Sequence, residues 1–130
     1  MRDLKALFEA TRTIAVVGAS INPARASHDV SRYLMRHFNV VPVNPNYPEI
    51  LGCTCYPDLA SIPEPVDMVN LFQRSEQVAQ FVLPAIELGV SSFWMQLGIS
   101  DAVSAEKLES HGITVVQDRC TKVEHQILNR

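Results

Sequence analysis

The residues best suited to chemistry stand where apolar runs stop. GASINPARAS, residues 18–27, follows the first such run. Gly18 permits a tight turn and close backbone approach. Ser20 and Ser27 supply hydroxyls, and Ser27 has the side chain of a good N-cap for a following helix, whose free amides favour an anion. Arg25 adds a fixed charge shaped for forked phosphate contacts. The chemistry indicated is phosphate binding, against the plainer reading of a capped loop with a solvated arginine. A dinucleotide site of the usual kind would need three glycines here and an acidic residue after the next run. Residues 41–47, VPVNPNY, offer Asn44 and Pro45 instead. Ordinary NAD binding is therefore disfavoured. Pro45 has a flat apolar face suited to a base, although a turn proline explains it equally well.

Three further run ends carry polar groups. FQRSEQV, residues 72–78, contains Arg74 and a candidate cap, Ser75. QLGIS, residues 96–100, contains Gly98. QDRCTKVEHQIL, residues 117–128, puts Thr121 and Glu124 at capping-box spacing. Cys120 and His125 are the pair that an activated thiol would use in a nucleotide-dependent, NAD(P)-type enzyme. Cys53, Cys55 and Cys120 do not have the spacing of a zinc site. No metal site and no catalytic group is assigned. The remaining histidines, His28, His37 and His111, lack partners in the sequence.

These ends need elements to position them. Short, nearly continuous apolar runs occur at 13–17, 40–43, 66–72, 92–96 and 113–116. Such runs fit strands buried on both faces. Amphipathic stretches lie between them. Val30, Leu34 and Phe38, beside Tyr33 and His37, mark one helical face. Val78, Phe81, Val82, Ala85 and Ile86 mark a second, and Val103, Ala105 and Leu108 a third. Pro84 falls inside the second and is expected to bend it. Trp94 and Met95 read as core. The segment 44–65 holds five of the eight prolines and reads as a long connection with a short helix capped by Asp58. The alternation predicts an α/β, Rossmann-like three-layer αβα fold with a mainly parallel five-stranded sheet, and ligands beyond the carboxyl ends of its strands.

The 130 residues are expected to form a single domain, 1–130. The composition, 47% hydrophobic and 19% charged, is that of a globular chain. A formal net charge of −3 speaks against broad nucleic-acid or anionic-membrane binding. No apolar stretch approaches the ~20 residues of a membrane span. The first residues, MRDLKALFEATRT, mix charges into a helical pattern, so a cytoplasmic protein is expected. Three cysteines, an odd number, suit reduced thiols better than a disulfide framework.

Taken in order, GASINPARAS, VPVNPNY, VDMVNLFQRSEQV, WMQLGIS and DRCTKVEH resemble the small stand-alone CoA-binding domain proteins. These are similar to the N-terminal CoA-binding domain of the succinyl-CoA synthetase α subunit. The resemblance runs through nearly the whole chain. It implies coenzyme A, or an acyl-CoA, lying across the strand ends. Gly18, Ala19 and Ser20 would border its phosphates, with Arg25 and Ser27 adding charge and hydroxyl. Asn44 and Pro45 would flank adenine. Phe72, Arg74 and Glu76, then Gly98 and Ile99, would line the rest of the groove. Cys120 would stand beside the terminal part of the ligand. Gln73 departs from the pattern, which would have a second basic residue next to Arg74. In the α-subunit family a further domain carries the phosphorylated histidine, so this chain is expected to be a non-catalytic binding or regulatory module. Its expected partner is the small-molecule ligand, and its sequence names no protein partner.

Overall fold

A computed structural model describes residues 3–130. Helix α1 (Leu4–Glu9) is capped by Asp3, whose carboxylate accepts the Ala6 amide. Strand β1 (Thr13–Val17), helix α2 (Ala26–Leu34) and strand β2 (Asn39–Val43) follow. A two-stranded hairpin, β3 (Glu49–Ile50) and β4 (Cys53–Thr54), interrupts the long connection before β5 (Met68–Leu71). Beyond β5 come a 3₁₀ stretch (Ser75–Phe81), α3 (Val82–Leu88), β6 (Ser92–Met95), α4 (Ala102–Ser110), β7 (Thr114–Val116) and α5 (Thr121–Leu128).

The five long strands form one parallel sheet in the order β2-β1-β5-β6-β7. Alternation along β1 divides the core into two layers. Ile14 and Val16 join Phe8 of α1 and Val30 and Leu34 of α2 on one face. Ala15 and Val17 join Val82 and Ala85 of α3 and Ala105 and Leu108 of α4 on the other. Trp94 and Met95 are fully buried, as their place in an apolar run suggests. The Trp94 indole N–H donates to the Arg119 carbonyl at 2.7 Å. The result is a Rossmann-like three-layer αβα fold.

Several local expectations are corrected. The run at 66–72 yields a strand of only Met68–Leu71. Asp67 stops it short, because its carboxylate accepts the Arg12 and Thr13 amides, each at 2.9 Å. The second helical stretch is not one α-helix: it is 3₁₀ over Ser75–Phe81 and α-helical from Val82, which places Pro84 near a helix start. Pro84 is the third residue of α3, where the missing N–H is tolerated. Val103 faces solvent, at 77% exposure, so the α4 stripe is Ser104, Ala105 and Leu108. The N-cap of α2 is Arg25, not Ser27; Ser27 lies buried in the first turn. Ser75 begins the 3₁₀ stretch with Arg74 in the cap position, and its hydroxyl accepts the Ser100 amide. Thr121 and Glu124 do not form a capping box. Cys120 is the N-cap of α5, Thr121 is fully buried, and Glu124 lies 3.5 Å from Arg119. Asp58 does cap, accepting the Ser61 amide at 2.9 Å over the 3₁₀ turn Leu59–Ser61.

Candidate functional site

The order β2-β1-β5 means the chain leaves β1 in one direction and returns on its other side. That reversal opens a crevice at the carboxyl ends of β1 and β5. Gly18 and Phe72 stand on its floor. Phe72 N–H donates to the Val17 carbonyl at 2.8 Å, and Gly18 N–H to the Val43 carbonyl at 3.0 Å. Gly18 has φ +86°, and a Cβ there would lie 2.3 Å from the Phe72 carbonyl oxygen. What approaches this glycine so closely is the chain's own β5 end.

The loop above the floor is held by its own side chains. Ser20 Oγ accepts the Asn22 amide at 3.0 Å, and Asn22 Oδ1 accepts the Ala24 amide at 2.9 Å. Asn44 ties the loop to the end of β2. Its Nδ2 donates to the Ala19 carbonyl at 2.8 Å and its Oδ1 accepts the Asn46 amide at 2.9 Å. α2 then starts without a side-chain cap, so its first amides are free to meet an anion. Arg25 is exposed beside them, and among the described residues no carboxylate pairs with it. On the opposite wall Arg74 lies 3.7 Å from Glu76, both well exposed.

These features enclose a hollow of about 630 Å³. Gly18, Ala19, Ser20, Arg25, Ser27, Asn44, Phe72, Arg74, Gly98 and Ile99 all line it, so the structure gathers ten of the expected site residues around one space. Gly98 has φ +84°, and its amide donates to Asp118 at 2.6 Å, which sets the far rim. Ala26, Asn46, Tyr47 and Gln73 complete the wall. A second hollow of about 630 Å³ opens on the α3 side of the sheet. It holds Pro45, and it shares Gly18, Asn44, Asn46 and Gln73 with the first. Its walls are otherwise apolar: Val17, Val43, Pro57, Leu59, Phe81 and Pro84, with Asp58 and Gln80 as polar exceptions. The residues at 57–60 and 80–84 were not expected at the site. They come from the 44–65 connection and from the junction of the 3₁₀ stretch with α3, and only the fold brings them to β1.

Three named residues lie elsewhere. Glu76 pairs with Arg74 and lines neither hollow. Cys120 packs against the core layer of α1 and α2. His125 is buried, with Nδ1 2.6 Å from the Tyr33 hydroxyl and its ring edge-on to Phe8. Burial, and secondarily the nearby His37, lowers its pKa. Cys120 and His125 both pack against the α1–α2 layer, but His125 Nδ1 is taken up by Tyr33 and no hydrogen bond among the described residues joins the two as thiol and base. Cys55 is buried as well, which raises its pKa. Among the described residues no group of three His, Cys, Asp or Glu side chains is placed to hold a metal ion. No helix among them is long and apolar enough to cross a membrane.

The donor set fits coenzyme A. Free helix amides, Arg25 and Arg74 suit its phosphates, and the apolar second hollow suits a flat base. Comparison with known proteins agrees with this chemistry. The family model described as CoA binding domain matches residues 12–126. The chain is 36% identical over 126 residues to protein YneT of Bacillus subtilis (strain 168), covering 96% of this chain and 93% of that one. It is 31% identical to Acetate–CoA ligase [ADP-forming] I of Archaeoglobus fulgidus, over 84% of this chain but only 18% of the ligase. A solved hypothetical protein from Pyrococcus horikoshii OT3 superimposes with a TM-score of 0.95 at 34% identity, covering 98% of this chain and 91% of its own.

Proposed function

The chain belongs to the CoA-binding domain family, and from that premise we propose that it binds coenzyme A or an acyl-CoA in the crevice above Gly18. It does so as a non-catalytic binding or regulatory module. One observation carries this reading: two hollows of different chemistry meet over a single glycine. The one between Arg25, Arg74 and the start of α2 takes the phosphates. The one walled by Val17, Val43, Pro45 and Phe81 takes the adenine. Asn44, with both ends of its amide committed, holds the boundary between them, at the end of β2 where an NAD site carries its acid.

A ligand that binds only the folded state raises its stability, by about 2.7 kcal/mol at a hundredfold excess over Kd. Thermal unfolding with coenzyme A, acetyl-CoA and NAD therefore tests the reading. Both CoA species should raise the melting temperature and NAD should not. No shift with either CoA species at millimolar concentration contradicts the proposal. Arg25→Ala should weaken coenzyme A binding about tenfold, as expected when a charged hydrogen bond is lost. Calorimetric titration of both proteins reads that ratio.

A further inference from the structure

The second hollow has a feature that an apolar pocket does not require. Its rim carries an aspartate, Asp58, among Pro57, Leu59 and Phe81. The carboxylate is fixed in place. Its Oδ1 accepts both the Ser61 amide, at 2.9 Å, and the Ser61 hydroxyl, at 2.7 Å. Among the described residues its Oδ2 has no hydrogen-bond partner and no cation pairs with it. Gln80 stands on the same hollow, and its Nε2 donates to Gln77 Oε1 at 2.7 Å, which leaves its own Oε1 free. Two oxygens that accept hydrogen bonds thus border a space with flat apolar walls.

Such a rim selects among occupants. An acyl chain gains from the walls but offers nothing to a carboxylate. A ring bearing an exocyclic amine uses both, since the amine donates where the carboxylate can only accept. A ring bearing an oxo group in that position places two acceptors face to face and forfeits the hydrogen bond that the amine would make. Resting on the coenzyme A reading above, we propose that Asp58, fixed by Ser61, is the specificity-determining residue for the base. It accepts a hydrogen bond from the 6-amino group of adenine and rejects 6-oxopurines.

The test compares coenzyme A with its deaminated analogue, in which hypoxanthine replaces adenine. Each is titrated calorimetrically into the wild-type protein, Asp58→Asn and Asp58→Ala. The wild type should bind coenzyme A about tenfold or more tightly than the analogue, the range expected for a hydrogen bond to a charged group. Asn caps a helical turn as well as Asp, so Asp58→Asn retains the local fold, and an unchanged melting temperature verifies it. Its amide can donate to an oxo group, so the preference should fall to about one or reverse. Asp58→Ala should lose the preference without reversing it. Equal wild-type affinities for the two ligands overturn the proposal while leaving coenzyme A binding intact. A tenfold preference that survives in Asp58→Asn overturns it too. A wild type that binds neither ligand overturns the coenzyme A reading itself, and this inference with it.

Discussion

Gly18 is where one side chain decides most. Its φ of +86° is strained for any L residue, and a Cβ would meet the Phe72 carbonyl at 2.3 Å. Backbone cannot swing aside as a flexible side chain can. Gly18→Ala should therefore destabilise the protein by about 3 kcal/mol or more, read by urea denaturation. Ser31 is the opposite case. Its hydroxyl is buried in the middle of α2 without a hydrogen-bond partner among the described residues. Ser31→Ala removes an unsatisfied group and adds helix propensity, so stability should rise by about 0.5–1 kcal/mol. His125 sets a pH dependence. Burial lowers its pKa below the usual 6.5, so the unfolded chain binds the proton more tightly than the folded one. This contribution to stability is complete above about pH 6.5 and is lost as the pH falls through that value toward the folded pKa. Denaturation midpoints between pH 7.5 and 5 should decline in the wild type and decline less in His125→Gln.

At the scale of elements, a buried polar joint fixes α5 to the sheet. The Thr121 hydroxyl lies 3.0 Å from both Asn70 Oδ1 and Gln96 Oε1, its amide donates to Gln96 Oε1, and Asn70 Nδ2 donates to the same oxygen at 3.1 Å. All three residues are buried. Thr121→Val leaves Asn70 Oδ1 on β5 unpaired, while Gln96 Oε1 keeps the residue-121 amide and Asn70 Nδ2, and it should cost about 1–3 kcal/mol, measured by chemical denaturation. The elements themselves differ in how far they could be read in advance. Strands such as Thr13–Val17 announce themselves because burial on both faces demands an unbroken apolar run. The hairpin at Glu49–Ile50 and Cys53–Thr54 does not. Its two-residue turn is Leu51-Gly52, with Leu51 at φ +53°, where Asn or Asp would be the usual signal. Caps slipped for a related reason. Thr121 has the side chain of a cap, yet it is drawn inward to satisfy Asn70 and Gln96, and this long-range demand outweighs the local one.

Across the whole molecule, the groove is a product of topology. The strand ends place Gly18, Asn44, Phe72 and Gly98 on one rim, and this much follows from the order of runs in the chain. Pro57, Asp58, Gln80 and Pro84 reach the adjoining hollow only through folding of the 44–65 connection, the 3₁₀ stretch and α3. Cys120 illustrates the converse. It follows a strand, as the other site residues do, but packs behind the sheet edge with α1 and α2. The proposed role as a binding module predicts that incubation with acetyl-CoA leaves the thioester intact, so a thiol-reactive dye should detect no release of free coenzyme A. The most direct measurement of the central claim is a crystal structure of the protein with coenzyme A. The account predicts density over Gly18, with the phosphates between Arg25 and the first turn of α2 and the adenine beside Pro45. Ligand density anywhere else on the molecule would contradict it.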